Sequence, residues 1–504
     1  MVQSSILVLM CGIVTPQMWN CSALAMPAPR VAVNPASRAK PLVGSGWLWT
    51  NWLSTAEIAS CGMLGWTEGD VVSVEFGEGL AARVAAVRHD ARVPSMTVAV
   101  AEADTLLGQA SAGYADVENS IAATPEVPYR IGSITKTFTA ATVLILAEEG
   151  AVRLVDTVDR FIPGTPFGDV TIASLLSHSS GLQREAPLDM WETMQGPNSA
   201  GLRSAFVDVE LIARLGERWH YSNLGYAVLG QIIETVTAQP FESVIEHRLL
   251  TPLKLGRTTW SAPSDAAVGY RLDPHGGGVH REPVMDQGAI GAGGQLWSTA
   301  GDLLVWGAAL LGANSNVLSH SVIDQMHTLQ VMVDPHEWTR GWGLGLILER
   351  CDERILAGHT GSMPGFQSAL QLDRVNQLVV VALANATRGV DLCGFATSVL
   401  LDIPVEDPML LDGGYPLPCP PEVQAILGSW WSESDETIFG WGGNALHAHL
   451  ASDPGRTSTT FVALGNGRYR ADIGRLRGEV LVISESAQGV EVHWATYPFT
   501  RVPR

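Results

Sequence analysis

The chain has 504 residues, 46% of them hydrophobic and 16% charged, which gives length for two or three globular units and is too apolar and too sparsely charged for a disordered or fibrous chain. Its formal charge of -20, from 51 Asp+Glu against 31 Lys+Arg, would repel a phosphate backbone and argues against a nucleic-acid partner. Only three basic residues are lysines, Lys40, Lys136 and Lys254, so each lysine in this arginine-using chain asks for a reason.

The first 66 residues carry four charged side chains, yet five of the 16 Trp and three of the six Cys. They do not resemble the rest, and residues 1–70 are read as a leader or a poorly structured extension, with Met63 an alternative start. Ile6 to Val14 is a short apolar run followed by Ala23-Leu24-Ala25, a small-x-small cleavage pattern, but the first basic residue is only Arg30. The missing basic n-region favours the cytoplasm; a secreted or periplasmic protein is expected if residues 1–25 are a signal peptide. No uncharged apolar run reaches the roughly 18 residues of a spanning helix. Cys351, Cys393 and Cys419 lack CxxC spacing, and no metal site follows from them.

From about Pro94 the pattern becomes strand-like, Ser95 to Ala103 and Leu106 to Tyr114, then turn-rich through Pro125 and Pro128. An apolar segment, Thr135 to Leu146, closed by Glu148, Glu149 and Gly150, predicts a buried helix. Helical period dominates from Asp156 to about Leu329, as in Leu224 to Thr235 and Ala300 to Leu311. Strand patterns return in Gly343 to Leu348, Gln367 to Leu372 and Gln377 to Leu383, with a helix near Leu392 to Leu401. This order predicts an α+β fold, one sheet closed by both ends of the domain with a helical region inserted. The Pro/Gly-rich stretch from Asp412 to Pro421 reads as a linker, and Leu427 to Pro503 as a small all-β barrel or sandwich. The expected division is a leader over 1–70, a catalytic domain over 71–412 and a β-domain over 413–504.

Nucleophilic catalysis needs a weak nucleophile beside a base, and Ser-x-x-Lys at a helix start puts an amine on the same face as a hydroxyl. The helix N-terminus adds partial positive charge, which favours a neutral lysine and an oxyanion. Ser37-Arg38-Ala39-Lys40 has the spacing but lies between prolines with no apolar helix behind it, and is a coincidence. Ser133-Ile134-Thr135-Lys136 opens the apolar helix, where a lysine is ordinarily costly to bury.

Two further motifs follow it, Tyr221-Ser222-Asn223 in the helical insert and His359-Thr360-Gly361 in the late strand region. With Tyr129 to Gly132, Leu175 to Leu182, Gly216 to His220, Pro252 to Leu255 and Gly293 to Ala300, the stretch from about Val93 to Leu401 closely resembles the serine β-lactamase and penicillin-binding-protein-like hydrolases, particularly the class C β-lactamase and esterase branch. The resemblance implies a β-lactamase-like antiparallel sheet flanked by helices, with an all-helical insert. It implies Ser133 as nucleophile, Lys136 as its base and Tyr221 sharing that role. Asn223 would bond Lys136 and the substrate amide, and the N–H groups of Ser133 and Ser362 would form an oxyanion hole beside Thr360 and Gly361. Where β-lactamases usually have lysine in the third motif this chain has His359, mostly neutral at pH 7. An esterase or D-amino-acid peptidase is therefore expected over an antibiotic-degrading enzyme, acting on a small ester, amide or peptide without a cofactor.

Other features have plainer readings. His178 is expected to support the site structurally, Lys254 to lie in a loop, and His447, His449 and His493 to be solvated on a sheet. Gly276-Gly277-Gly278 and Gly293-Gly294 lack a nucleotide-binding context and read as loop flexibility. The rival function is a non-catalytic binding protein of the same fold acting through its C-terminal β-domain. Oligomeric state is not legible.

Overall fold

In the computed structural model, residues 72–403 and 419–502 are described, leaving aside 274–277, 352, 433–434, 443–444, 453–458, 474–475, 487–488 and 496. The proposed leader with Ser37 and Lys40, most of the linker, and Gly276 and Gly277 lie outside the described residues. The chain divides into two compact units, one ending at Ile403 and the other beginning at Pro404.

The first unit is built on a nine-stranded antiparallel sheet whose middle is a pairing of the chain's distant parts. Strand Ser95–Glu102 lies between Thr105–Asp116 on one side and Leu378–Ala384 on the other. Beyond Leu378–Ala384 come Phe366–Asp373, Arg354–Met363 and Ile347–Cys351 in succession. The sheet is covered on both faces, which explains why Leu378–Ala384 is apolar throughout rather than alternating. Val379, Val381 and Leu383 face the large core shared with the helical insert, while Leu378, Val380, Ala382 and Ala384 face a second core. Helices Val72–Ala91 and Leu392–Asp402 supply much of that second core.

Two elements depart from the sequence reading. Helix Val72–Ala91 was not expected, although Leu80, Val84, Val87 and Ala91, all directed at the second core, follow an i, i+4, i+7, i+11 pattern. Of the expected strand over Gly343 to Leu348, Ile347 and Leu348 open strand Ile347–Cys351, while Gly343 to Leu346 form a buried turn between it and strand Arg340–Trp342. Gly345 there takes φ +91°, and Gly343 passes so close to Met326 that a Cβ would sit 2.0 Å from its carbonyl oxygen. Leu344 and Leu346 are apolar because they fill the large core, not because they belong to a strand.

Helix Thr135–Glu148 is buried on nearly every side, as its unbroken apolar run requires. Phe138 stacks on Trp306 of helix Ala300–Leu311 at 4.0 Å, and Trp306 Nε1 donates to Thr137 Oγ1 at 2.8 Å. The polar face of the helix thus has a partner as well as the apolar one, and its first turn is held without freedom to tilt.

The second unit is an eight-stranded antiparallel meander from Gly428–Ser432 to Tyr497–Phe499. Trp431 and Thr500 exchange two backbone hydrogen bonds of 2.8 Å, joining the first and last strands. The sheet therefore closes as a barrel, the first of the two forms expected, with Trp430, Phe439, Phe461, Leu481 and Trp494 inside. Among the described residues no helix is long and apolar enough to cross a membrane.

Candidate active site

The site begins with the turn that precedes the buried helix. Gly132–Ile134 forms a short 3-10 turn running directly into Thr135–Glu148. Gly132 has φ +51°, and a Cβ on it would lie 2.9 Å from the backbone nitrogen of Ser362, so a side chain would separate the serine turn from the strand beside it. In a 3-10 turn residues three apart eclipse one another. Lys136 accordingly lies over Ser133, with Nζ 3.1 Å from Oγ.

Lys136 is fully buried, and its amine also donates to Asn223 Oδ1 at 2.8 Å and to the Gly293 carbonyl at 2.6 Å. Burial pushes its pKa down to about 7; Glu185 opposes the shift and Arg184 adds to it. The amine therefore exchanges its proton near neutrality, and its three neighbours satisfy either form. The ammonium donates to all three; once neutral, the amine keeps two N–H groups for the two carbonyl oxygens and has its lone pair for the Ser133 hydroxyl.

Tyr221 and Asn223 flank a helix cap. Ser222 Oγ accepts the Gly225 N–H at 2.9 Å and caps helix Asn223–Thr237, so the residues on either side of it are held at the helix start. The Tyr221 ring lies 4.9 Å from Lys136 Nζ. Desolvation raises the pKa of its phenol above the usual value, and interaction with the Ser133 hydroxyl works against that rise. His178 packs on Tyr221 with ring centroids 4.3 Å apart, and its Nδ1 accepts the Ser222 N–H at 3.1 Å. It is buried and held well below its usual pKa by burial and by the charge of Lys136, so it backs the Tyr221 segment as a neutral ring.

The third segment lies on strand Arg354–Met363. A Cβ on Gly361 would sit 2.0 Å from the Ile131 carbonyl oxygen and 2.3 Å from Ser368 Oγ. Only glycine lets the strand approach the serine turn this closely, and the approach brings Ser362 N beside Gly132. Thr360 is half-buried and Ser362 exposed. His359 is buried, with Nδ1 2.6 Å from the Thr360 carbonyl; burial and the charge of Lys136 push its pKa down to about 3. The imidazole is neutral over the whole working range, a stronger statement than its residue type allowed.

This packing makes Gly361→Ala informative. The strand must retreat from the serine turn, and if two N–H groups there hold an oxyanion, acylation is expected to slow by roughly 10²–10³ while the fold persists. Stopped-flow acylation beside a melting curve checks it.

Ser133, Lys136, Tyr221 and Asn223 therefore come together, and His359 to Ser362 pass along the same turn. Several neighbours were missed by the sequence reading. Gly293 is not flexible loop: it ends the buried 3-10 helix Gly288–Gly293, bonds Lys136, and a Cβ on it would lie 3.4 Å from Nζ. Gly294 likewise packs tightly, since a Cβ would lie 2.8 Å from Gln287 Oε1. Glu185 accepts from Asn223 Nδ2 at 2.6 Å, and the Arg184 guanidinium lies 5.0 Å from the Tyr221 ring. Their nearest signal was position, just after the Leu175 to Leu182 segment. Lys254 lies in a turn with φ +57°, as a loop residue would. In the barrel His447 Nε2 is 2.7 Å from the Gly442 carbonyl, and His493 lies four strands away in the meander. No cluster of three or more metal-ligating side chains occurs among the described residues.

Comparison with known proteins matches residues 80–400 to the Beta-lactamase family and 419–501 to a domain of unknown function, DUF7586. Protein flp of Staphylococcus aureus (strain MW2) is 26% identical over 329 residues, 59% of this chain; the chain spans 61% of that relative's length. Penicillin-binding protein 4 of Amycolatopsis lactamdurans is 28% identical over 64% of this chain and 86% of its own. A D-stereospecific amidohydrolase from Streptomyces sp. superposes with a TM-score of 0.56 at 26% identity, covering 64% of this chain and 97% of that one. The family match spans most of the first unit, from its N-terminal helix to its C-terminal one, and includes every residue gathered around Lys136. The chain belongs to the β-lactamase family, within its serine β-lactamase and penicillin-binding-protein-like group.

Proposed function

We propose that this protein is a serine hydrolase that cleaves an ester or amide through an acyl-enzyme intermediate. The observation that carries the reading is the fully buried Lys136, whose amine has two carbonyl acceptors and a serine hydroxyl as neighbours. Ser133 Oγ attacks the carbonyl carbon as its proton passes to Lys136 Nζ. Negative charge developing on the carbonyl oxygen is met by the N–H groups of Ser133 and Ser362. Collapse breaks the bond to the leaving group, which takes its proton from the Lys136–Tyr221 pair, and Asn223 steadies the amine throughout. Water then attacks the Ser133 ester, loses its proton to the same base and releases the acid. Nucleophile and base are both side chains, so the scheme draws on no cofactor. In this scheme residues 71–412 form the catalytic domain and 413–504 an appended β-domain.

The neutral His359 supplies no fixed charge for a substrate carboxylate. This favours an esterase or a D-amino-acid peptidase over an antibiotic-degrading enzyme, and likeness to the D-stereospecific amidohydrolase supports the same choice. A panel of p-nitrophenyl esters, D- and L-aminoacyl amides and a cephalosporin tests it. The expected result is an ester or a D-aminoacyl amide turned over at least about tenfold faster than the cephalosporin, as one lost charge-assisted contact implies; a preferred cephalosporin overturns it.

A further inference from the structure

Asparagine at position 223 faces two partners of opposite demand. On one side Lys136 Nζ donates to it at 2.8 Å; on the other its Nδ2 donates to Glu185 Oε1 at 2.6 Å. An amide can turn over, exchanging oxygen and nitrogen at little cost of its own, so what fixes it is the chemistry of its neighbours. Burial raises the pKa of Glu185, and the Asn223 hydrogen bond and the charges of Arg184 and Lys136 oppose that rise; in its ionised form the carboxylate only accepts. It must receive the NH2 group, and the carbonyl oxygen is then turned to the lysine.

The consequence falls on the lysine. A neutral amine has two protons and one lone pair. With Asn223 Oδ1 and Gly293 O both accepting, the lone pair is left for Ser133. If the Asn223 amide turned over, its NH2 would face Nζ, and the amine would have to accept there, leaving no lone pair for the serine proton. We infer that Glu185 is a positioning residue: its carboxylate holds the Asn223 amide so that the Lys136 amine faces Ser133 as a proton acceptor. The inference rests on the serine-hydrolase reading.

Backbone contacts fix the carboxylate's place. The Arg184 carbonyl accepts the N–H groups of Asn223 at 2.8 Å and Leu224 at 3.1 Å, so the loop carrying Glu185 is bonded to the start of the helix carrying Asn223. The Glu185 carbonyl accepts from Gln183 Nε2 at 2.9 Å, and Arg184 Nε lies 3.5 Å from Glu185 Oε1. The titratable or charged groups facing Lys136 are Tyr221, Tyr226, His178, His359, Arg184 and Glu185. Glu185 is the acid among them.

The test uses the full chain, two variants and two readouts. Inactivation by a fluorophosphonate is followed against pH, and Lys136 ionisation is followed separately by NMR after 13C-lysine labelling, which leaves three signals to assign. Glu185→Met removes the acceptor at similar length, and its inactivation rate on the alkaline plateau is expected to fall tenfold or more. Glu185→Gln keeps an acceptor but adds a donor, so the amide is held both ways and the fall is expected to be about two- to fivefold. Both variants lose a negative charge, and the Lys136 midpoint should move to lower pH. Gln is nearly isosteric with Glu and Met is not, so a loss of packing would give the same rank order; it would leave the Lys136 midpoint where it is in the wild type, whereas loss of the Glu185 charge lowers it.

A Glu185→Met plateau within twofold of wild type overturns the inference. If that variant does not fold, Glu185→Gln decides: a plateau equal to wild type overturns it, whether or not the midpoint moves. A wild type not labelled at Ser133 overturns the hydrolase reading instead, and an unmoved Lys136 midpoint in Glu185→Gln would then overturn this inference as well.

Discussion

Replacing Ser133 by alanine is expected to abolish covalent labelling by a fluorophosphonate and to lower turnover of any substrate by roughly 10⁴–10⁶, the range seen when a nucleophile acting with its base is removed. The physical reason is local. Lys136 keeps its carbonyl partners at Asn223 and Gly293 but loses the hydroxyl whose proton it would take. The Ser133 N–H and its neighbour at Ser362 remain, so binding should survive better than chemistry. Intact-mass spectrometry after exposure to the probe reads the result directly. Labelling that persists in Ser133→Ala removes the serine from the mechanism, and a wild type that takes no label favours the non-catalytic rival.

The second large effect concerns Lys136 and its proton. A base works in its neutral form, and this amine, depressed to about 7 by burial, becomes neutral as pH rises. Acylation should therefore increase about tenfold per pH unit below about 7 and level off above it, the sign expected of a lysine acting as base. Arginine cannot lose its proton in the working range, so Lys136→Arg should be inactive at every pH despite keeping a positive charge. Lys136→Met, apolar and of similar length, should cost about 10²–10⁴ and lose the limb near pH 7 altogether. Burst kinetics between pH 5 and 9 distinguish these outcomes. A limb that remains in Lys136→Met would assign the titration to another group.

The central features were legible in the chain because they are encoded locally. An unbroken apolar run announces a buried helix, and a lysine inside it is conspicuous where 28 other basic residues are arginines. The β pairing of Ser95–Glu102 with Leu378–Ala384 was implied by strands at both ends of one helical region. What escaped notice depends on tertiary approach. Glu185 and Arg184 reach the site through a loop whose carbonyls bond a distant helix, and no periodicity records that. Gly293 resembles any loop glycine until a lysine is seen beside it. Helix Val72–Ala91 was overlooked for another reason. Its regular apolar spacing is present in Leu80, Val84, Val87 and Ala91, but it begins within a few residues of a stretch whose charge and Trp and Cys content differ from the rest of the chain.

The sheet that joins both ends of the first unit has a consequence in time. Ser95 and Asn385, hydrogen-bonded through N and Oδ1, are 290 residues apart, and Ser368, whose hydroxyl holds the Ile131 carbonyl beside the serine turn, is 237 residues from it. Closing loops of this size precedes any gain from the contacts they permit, so these pairings form late. A ribosome emits the serine long before the strand that completes its surroundings. Nascent chains would therefore carry Ser133 with no surface to lower the pKa of Lys136 beside it, and the proposed chemistry would become available only when the last strand of the sheet is laid in place.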